Sequence, residues 1–133
     1  FMDKQMREAN IDIETRFERE MPKVMGSTNQ LRQVLLNMIR NAKEAMPQGG
    51  ILSLETMRED ERVIINIKDT GIGISEEIQD KIFEAFFTTK AAVKGVGLGL
   101  SVCYGIIKDH GGEIRVESEE GRGSTFSVLL PGG

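Results

Sequence analysis

Two asparagines four residues apart, Asn37 and Asn41, are the first positions in this chain able to do chemistry. On a helix that spacing puts both side chains on one face. Apolar residues surround them, so the face points into a pocket or onto packing. An asparagine carries two donors and an acceptor, and its oxygen is a hard, neutral ligand suited to Mg²⁺, which prefers oxygen and keeps several waters. A bare pair of this kind is more often two polar residues on the solvent side. Further on, Asp69-Thr70-Gly71-Ile72-Gly73-Ile74 follows an apolar strand. An aspartate at a strand end can accept a hydrogen bond from an exocyclic amine such as that of adenine, and the glycines let backbone approach a flat ring and permit positive φ. A tight turn with its own Asp hydrogen bond is the competing reading.

Gly95-Val96-Gly97-Leu98-Gly99-Leu100 leads straight into a helical segment, where exposed amides and the positive end of the dipole suit phosphate. A dinucleotide-binding fold would place a strand immediately before such a run. Here a loop precedes it, so that reading fails. Gly121-Arg122-Gly123-Ser124-Thr125-Phe126, taken alone, reads as a hairpin turn.

These segments must be held by a small set of elements. A short helix over Met2–Ala9 closes at Asn10, and Ile11–Phe17 alternates as a half-buried strand does. Ser27 caps a long helix to about Met46, whose Leu31, Val34, Leu35, Met38, Ile39, Ala42 and Ala45 form one apolar face. Strands follow near Ile51–Met57 and Arg62–Lys68 around the acidic turn Glu59-Asp60-Glu61. Ser75 caps a short helix to about Ile82, Phe83–Val96 reads as a loop, and a helix runs from about Leu98 to His110. Strands near Glu113–Glu119 and Thr125–Leu130 close the chain. The strands come mainly as hairpins, which predicts an α/β sandwich of two layers: a mixed, mostly antiparallel sheet with helices on one face.

With 133 residues the chain is one domain with a single core. Its 39% hydrophobic and 29% charged residues place it among globular proteins, and a net charge of -4 speaks against a nucleic-acid partner. Cys103 is the sole cysteine, so neither an internal disulfide nor a thiolate zinc site can form. That fits a reducing, cytoplasmic setting. No apolar run approaches the roughly 20 residues of a spanning helix. Opening on Phe1 rather than Met is expected of a fragment of a longer parent, one that could be membrane-anchored.

In order, these segments resemble the GHKL ATP-binding superfamily, and more closely the catalytic domain of bacterial sensor histidine kinases. QVLLNMIRNAKEAM is similar to the family's N box, DTGIGI to its first glycine box, IFEAFFTTK to its phenylalanine box, GVGLGL to its second glycine box and GRGSTF to its last. The likeness covers about Ile11 to Pro131, and NAKEAMPQGG and FFTTK look most like the nitrogen-regulator type of kinase. Five motifs in register are specific. The resemblance implies a Bergerat fold binding ATP and Mg²⁺ between the long helix and a lid. It implies metal coordination by Asn41, with Asn37 near the phosphates and the incoming histidine. Asp69 would recognise adenine, Gly71, Gly73 and Ile74 would lie along the base, and Ser124 or Thr125 would reach it through a water. Gly95, Val96, Gly97, Leu98, Gly99 and Leu100 would present amides to the phosphates.

It also implies transfer of the γ-phosphate to a histidine on a separate dimerisation domain of the same kinase, and from there to an aspartate of a response regulator. The isolated domain, lacking that dimerisation domain, is expected to be monomeric. Some residues depart from the pattern. Glu44 stands where many relatives carry a phosphate-binding Lys, and Lys43 points about 100° away around the helix. Lys90, in the lid, is the candidate replacement cation. Val96 replaces a frequent Thr. The lid, about Thr88 to Val96, is expected to be mobile without nucleotide, and the Phe83, Phe86 and Phe87 cluster suits packing on partner helices. His110 lies at a helix C-terminus, where a partly cationic ring is favourable, and is expected to be structural because Gly111 follows it where an acceptor would have an acid. Cys103 is expected in the core. Two other functions compete. A GHKL ATPase, or a serine kinase of the anti-sigma class, needs a base one turn before the metal-binding Asn, where Asn37 cannot take a proton. A nucleotide-binding or scaffolding module without catalytic output would not need these motifs intact.

Overall fold

A computed structural model of the chain describes residues 3–18, 26–74 and 98–132. Helix α1 (Asp3–Glu8) turns at Asn10, which takes a left-handed φ of 59°, into strand β1 (Ile11–Phe17). Helix α2 (Thr28–Glu44) starts at Ser27, whose hydroxyl accepts from the amide of Gln30 at 3.2 Å, satisfying one of the donors that a helix start leaves unpaired. Strands β2 (Gly50–Glu59) and β3 (Arg62–Asp69) form a hairpin about Asp60-Glu61. Helix α3 (Leu98–Asp109), β4 (Glu113–Glu119) and β5 (Gly123–Pro131) complete the fold.

The five strands make one sheet in the order β1-β2-β3-β5-β4. Its two-layer, mixed architecture matches the sequence expectation, with one difference in how the strands are joined. β1 and β2 pair in parallel, with Ile11 opposite Gly50 and Phe17 opposite Thr56, and α2 is the crossover between them. Parallel neighbours need such a crossover, usually a helix; the other neighbouring pairs are antiparallel.

Alternation along the strands decides which face is covered. Leu52, Ile67, Phe126, Val128 and Leu130 meet Val34, Met38 and Ala42 of α2 and Cys103, Ile106 and Ile107 of α3 in one core. On the opposite face Glu55, Asn66 and Ser127 stand side by side on β2, β3 and β5, joined by Asn66 Nδ2 to Glu55 Oε1 (3.2 Å) and Ser127 Oγ to Asn66 Oδ1 (2.6 Å). The helices therefore lie on one side, and the residues at the sheet's helix-facing ends, Asp69 and Ser124, are aimed at them. The expected short helix from Ser75 to Ile82, the loop to Val96 and the phenylalanine cluster fall outside the described residues.

Candidate functional site

The solvent-side reading of the asparagine pair does not hold. Beyond the first turn of α2 the exposed positions are Arg32, Gln33, Arg40 and Glu44, while Asn41 is buried at 8% exposure and Asn37 is half-buried. Asn37 Nδ2 donates to Cys103 Sγ on α3 at 3.8 Å. Asn41 Nδ2 is fully enclosed and has no hydrogen-bond partner among the described residues. A buried amide left without a partner costs about 1–3 kcal/mol, so this group calls for an acceptor from outside the described residues.

Asp69 ends β3 opposite Ser124 of β5. It is 3% exposed, and its Oδ1 accepts from the Gly71 amide at 2.9 Å and the Ser124 amide at 3.3 Å. Burial pushes its carboxyl above the usual carboxylate range, and those two amides pull it partly back. The segment after it is stitched on both sides. The Ile72 amide donates to Ala45 O at the end of α2 (2.9 Å), and Gly121 donates to Ile72 O (2.7 Å). Gly71 and Gly73 are needed for close approach, to the protein's own backbone. A Cβ on Gly71 would run into the Ala45 carbonyl, and one on Gly73, at φ +72°, into the Glu119 carbonyl.

Ser118, which sequence reasoning passed over, is the knot of this region. Its hydroxyl accepts from the amide of buried Ile74 at 2.7 Å, donates to Gly123 O at 3.1 Å and lies 2.7 Å from Ser124 Oγ. A hydroxyl has one proton, so with that proton on Gly123 O the donor of the serine pair is Ser124. The available signal was alternation: Ser118 stands on the inward side of β4, opposite Ser124. Strand alternation also separates the two residues proposed to reach the base. Ser124 is buried on the side of Asp69, whereas Thr125 pairs with Lys68 and faces the other side of the sheet. An open cleft of about 380 Å³ runs past Asp69, Ser118 and Ser124, walled by Lys68, Arg122 and Thr125. A second, of about 480 Å³, lies between Ala45 and Met46 at the end of α2 and Thr70-Gly71-Ile72.

Leu98, Gly99 and Leu100 form the first turn of α3. Lys90, Gly95, Val96 and Gly97, with the expected lid, lie outside the described residues. Among the described residues no three His, Cys, Asp or Glu side chains gather as a metal cage, and no helix is long and apolar enough to cross a membrane. His110 closes the back of the helical layer: its Nε2 accepts from the Ser27 amide at 3.1 Å, so Nδ1–H donates to Ile106 O at 2.8 Å.

Residues 26–133 match the family described as histidine kinase-, DNA gyrase B-, and HSP90-like ATPase. Sporulation kinase C of Bacillus subtilis is 44% identical over 124 residues, 92% of this chain; the chain spans only 28% of that relative's length. Among solved structures, the nucleotide-free catalytic domain of histidine kinase ThkA superposes with a TM-score of 0.86 at 36% identity, covering 98% of this chain and 86% of that one. ThkA has also been solved in complex with the response regulator TrrA, at TM-score 0.83 and 32% identity over 99% of this chain and 37% of that one. Full-length ShkA in complex with AMPPNP gives 0.86 at 31% identity over 99% of this chain and 28% of that one.

Proposed function

The chain belongs to the histidine kinase-, DNA gyrase B-, and HSP90-like ATPase family, within it to the catalytic domains of sensor histidine kinases, and from that premise we propose that it binds ATP with Mg²⁺ and delivers the γ-phosphate to a histidine on a separate domain. The observations that carry the reading are two buried polar groups: Asp69 at the end of β3, and Asn41 on α2, whose Nδ2 has no partner among the described residues. Asp69 already uses Oδ1 on two backbone amides, which leaves Oδ2 as the acceptor for an exocyclic amine. Ser124 would hold the water or base edge beside it, its hydroxyl oriented by Ser118.

The fit to a Mg-nucleotide rests on donor chemistry. Asn41 offers a hard oxygen for the metal and an Nδ2 that lacks an acceptor, which a phosphate oxygen would supply. When bound, Mg²⁺ neutralises phosphate charge during in-line transfer. The chain's own part is positioning. Asn37 stands one turn from Asn41 and carries no basic group, so from that position water would find no base to activate it. The nucleophile is then an imidazole from a phosphoacceptor-histidine dimerisation domain of the same kinase, and the phosphoryl group passes on to a response regulator in the cytoplasm. Lys90 and the glycine run Gly95 to Gly99, with Val96, Leu98 and Leu100, would close on the phosphates.

Mixing the domain with a histidine-bearing helical partner and γ-labelled ATP tests this. Label is expected on the partner's histidine, with none on the domain alone. Label retained on this domain, or steady hydrolysis without a partner, would replace the reading with autophosphorylation or an ATPase.

A further inference from the structure

Cys103 has a single S–H, and the structure directs it to the Val34 carbonyl of α2 at 3.8 Å. What the sulfur presents to Asn37, also at 3.8 Å, is therefore a lone pair, and the asparagine must answer with its NH₂ end. We propose that Cys103 is a positioning residue for phosphoryl transfer: by accepting from Asn37 Nδ2 it fixes the orientation of that amide and turns Oδ1 away from α3, toward the incoming nucleophile. The inference rests on the function assigned above and extends it to a residue that touches neither nucleotide nor acceptor.

Three further observations bear on it. Cys103 is fully buried, so no water competes for its sulfur. Burial pushes its thiol upward, with Asn37 pulling it partly back, so the thiol proton stays in place for Val34 O. One turn along α2, Asn41 is more than nine-tenths buried with its Nδ2 unpartnered, an independent sign that this face of the helix awaits a ligand. The two asparagines are thus treated differently: Asn41 is left open to a ligand, while Asn37 is anchored to α3 by its nitrogen. An asparagine amide free to flip would offer a donor or an acceptor at the same point. Anchored by sulfur, it offers the acceptor, which suits the N–H of an attacking imidazole.

The test compares Cys103→Val, which keeps bulk and removes the acceptor, with Cys103→Ser, which keeps both a donor and an acceptor. In the nucleotide-free protein, selective labelling of Asn37 reads its Nδ2 protons by NMR. They are expected to be shifted and protected from water exchange in the wild type and in Cys103→Ser, and to lose both properties in Cys103→Val. Transfer to a histidine-bearing partner should fall about fivefold in Cys103→Val, with Mg-ADP affinity held within about twofold, and recover in Cys103→Ser. Should Cys103→Val fail to fold, Cys103→Ala removes the same acceptor. Unchanged Asn37 protons, or a loss of transfer matched by an equal loss of affinity, would overturn the positioning role. If the wild type binds no Mg-ADP, the assigned function fails instead, and the NMR reading of the nucleotide-free protein still decides the role of Cys103.

Discussion

Replacing Asp69 with asparagine separates what the carboxylate does for the fold from what it does for the ligand. Its Oδ1 holds the amides of Gly71 and Ser124 at 2.9 and 3.3 Å, and an asparagine can keep both bonds with its own Oδ1. The second atom changes from an acceptor oxygen to an NH₂, which meets the exocyclic amine of adenine donor to donor. Losing a charged hydrogen bond of this kind costs about 1–3 kcal/mol, so affinity for Mg-ADP should fall roughly 5- to 150-fold. Stability should move the other way. Burial raises the carboxyl in the folded state, so from about pH 4 upward there is a window in which the unfolded chain has lost the proton and the folded chain still holds it. The stability this group carries is full below the unfolded value and is lost as pH rises through the folded value. Asp69→Asn has no such titration, so its stability relative to wild type should climb through that window and level off above it. Calorimetric titration with Mg-ADP and urea melts at a series of pH values read both effects. Unchanged affinity would remove Asp69 from the adenine site, and a variant whose relative stability fell with rising pH would refute the burial argument.

Asn41→Ala deletes a buried Nδ2 that has no partner among the described residues; thermal melts should show equal or higher stability while the Mg²⁺-dependent part of nucleotide affinity and the transfer to a partner histidine are lost. His110→Ala removes the bonds to the Ser27 amide and the Ile106 carbonyl, and should cost about 1–2 kcal/mol in denaturant melts while leaving labelling of a partner histidine in place. Gly73→Ala must put a Cβ at φ +72° against the Glu119 carbonyl; chemical denaturation should show a loss of at least about 1–2 kcal/mol, with nucleotide affinity weakened although no ligand contact is deleted.

Local pattern was enough to place the helices and strands near their observed ends, because α2 and the strands carry clean periodicities and Ser27 is a strong cap. It also marked Asp69 as the residue leaving an apolar strand. Contacts distant in the chain were out of its reach. Ser124 rather than Thr125 shares a side with Asp69 only because β3 and β5 pair Asp69 with Ser124, a register set across more than fifty residues. Ser118 faces Ser124 through the β4–β5 hairpin, as alternation along β4 could have shown, but that this pair lies beside Asp69 depends on the same long-range β3–β5 register. Gly71 and Gly73 looked like room for a ring, yet each is fixed by backbone from another element, Ala45 or Glu119. Which pair of the expected mixed sheet would be parallel, β1 with β2, was out of reach for a related reason: a strand and a helix in sequence do not say on which edge the next strand will land.

The two ends of the site follow opposite designs. Around Asp69 the polar groups are tied among themselves, from Gly71 and Ser124 through Ser118 to Ile74, and tied to α2 through Ala45. Such a region is set before ligand arrives, so little ordering cost is left to set against binding of the base. Around Asn41 the reverse holds: a buried donor is left without an acceptor, a standing cost that a phosphate oxygen would relieve. On the proposed function, binding at the first end would set register, and binding at the second would relieve the cost of the unpartnered Nδ2. Nucleotide should therefore stabilise the fold by more than the adenine contacts alone, and ADP with Mg²⁺ by more than adenosine. On the proposed function, Asn37 offers no carboxylate to activate water, so bound ATP should hydrolyse slowly until a partner histidine is supplied, which a phosphate-release assay with and without the partner would read.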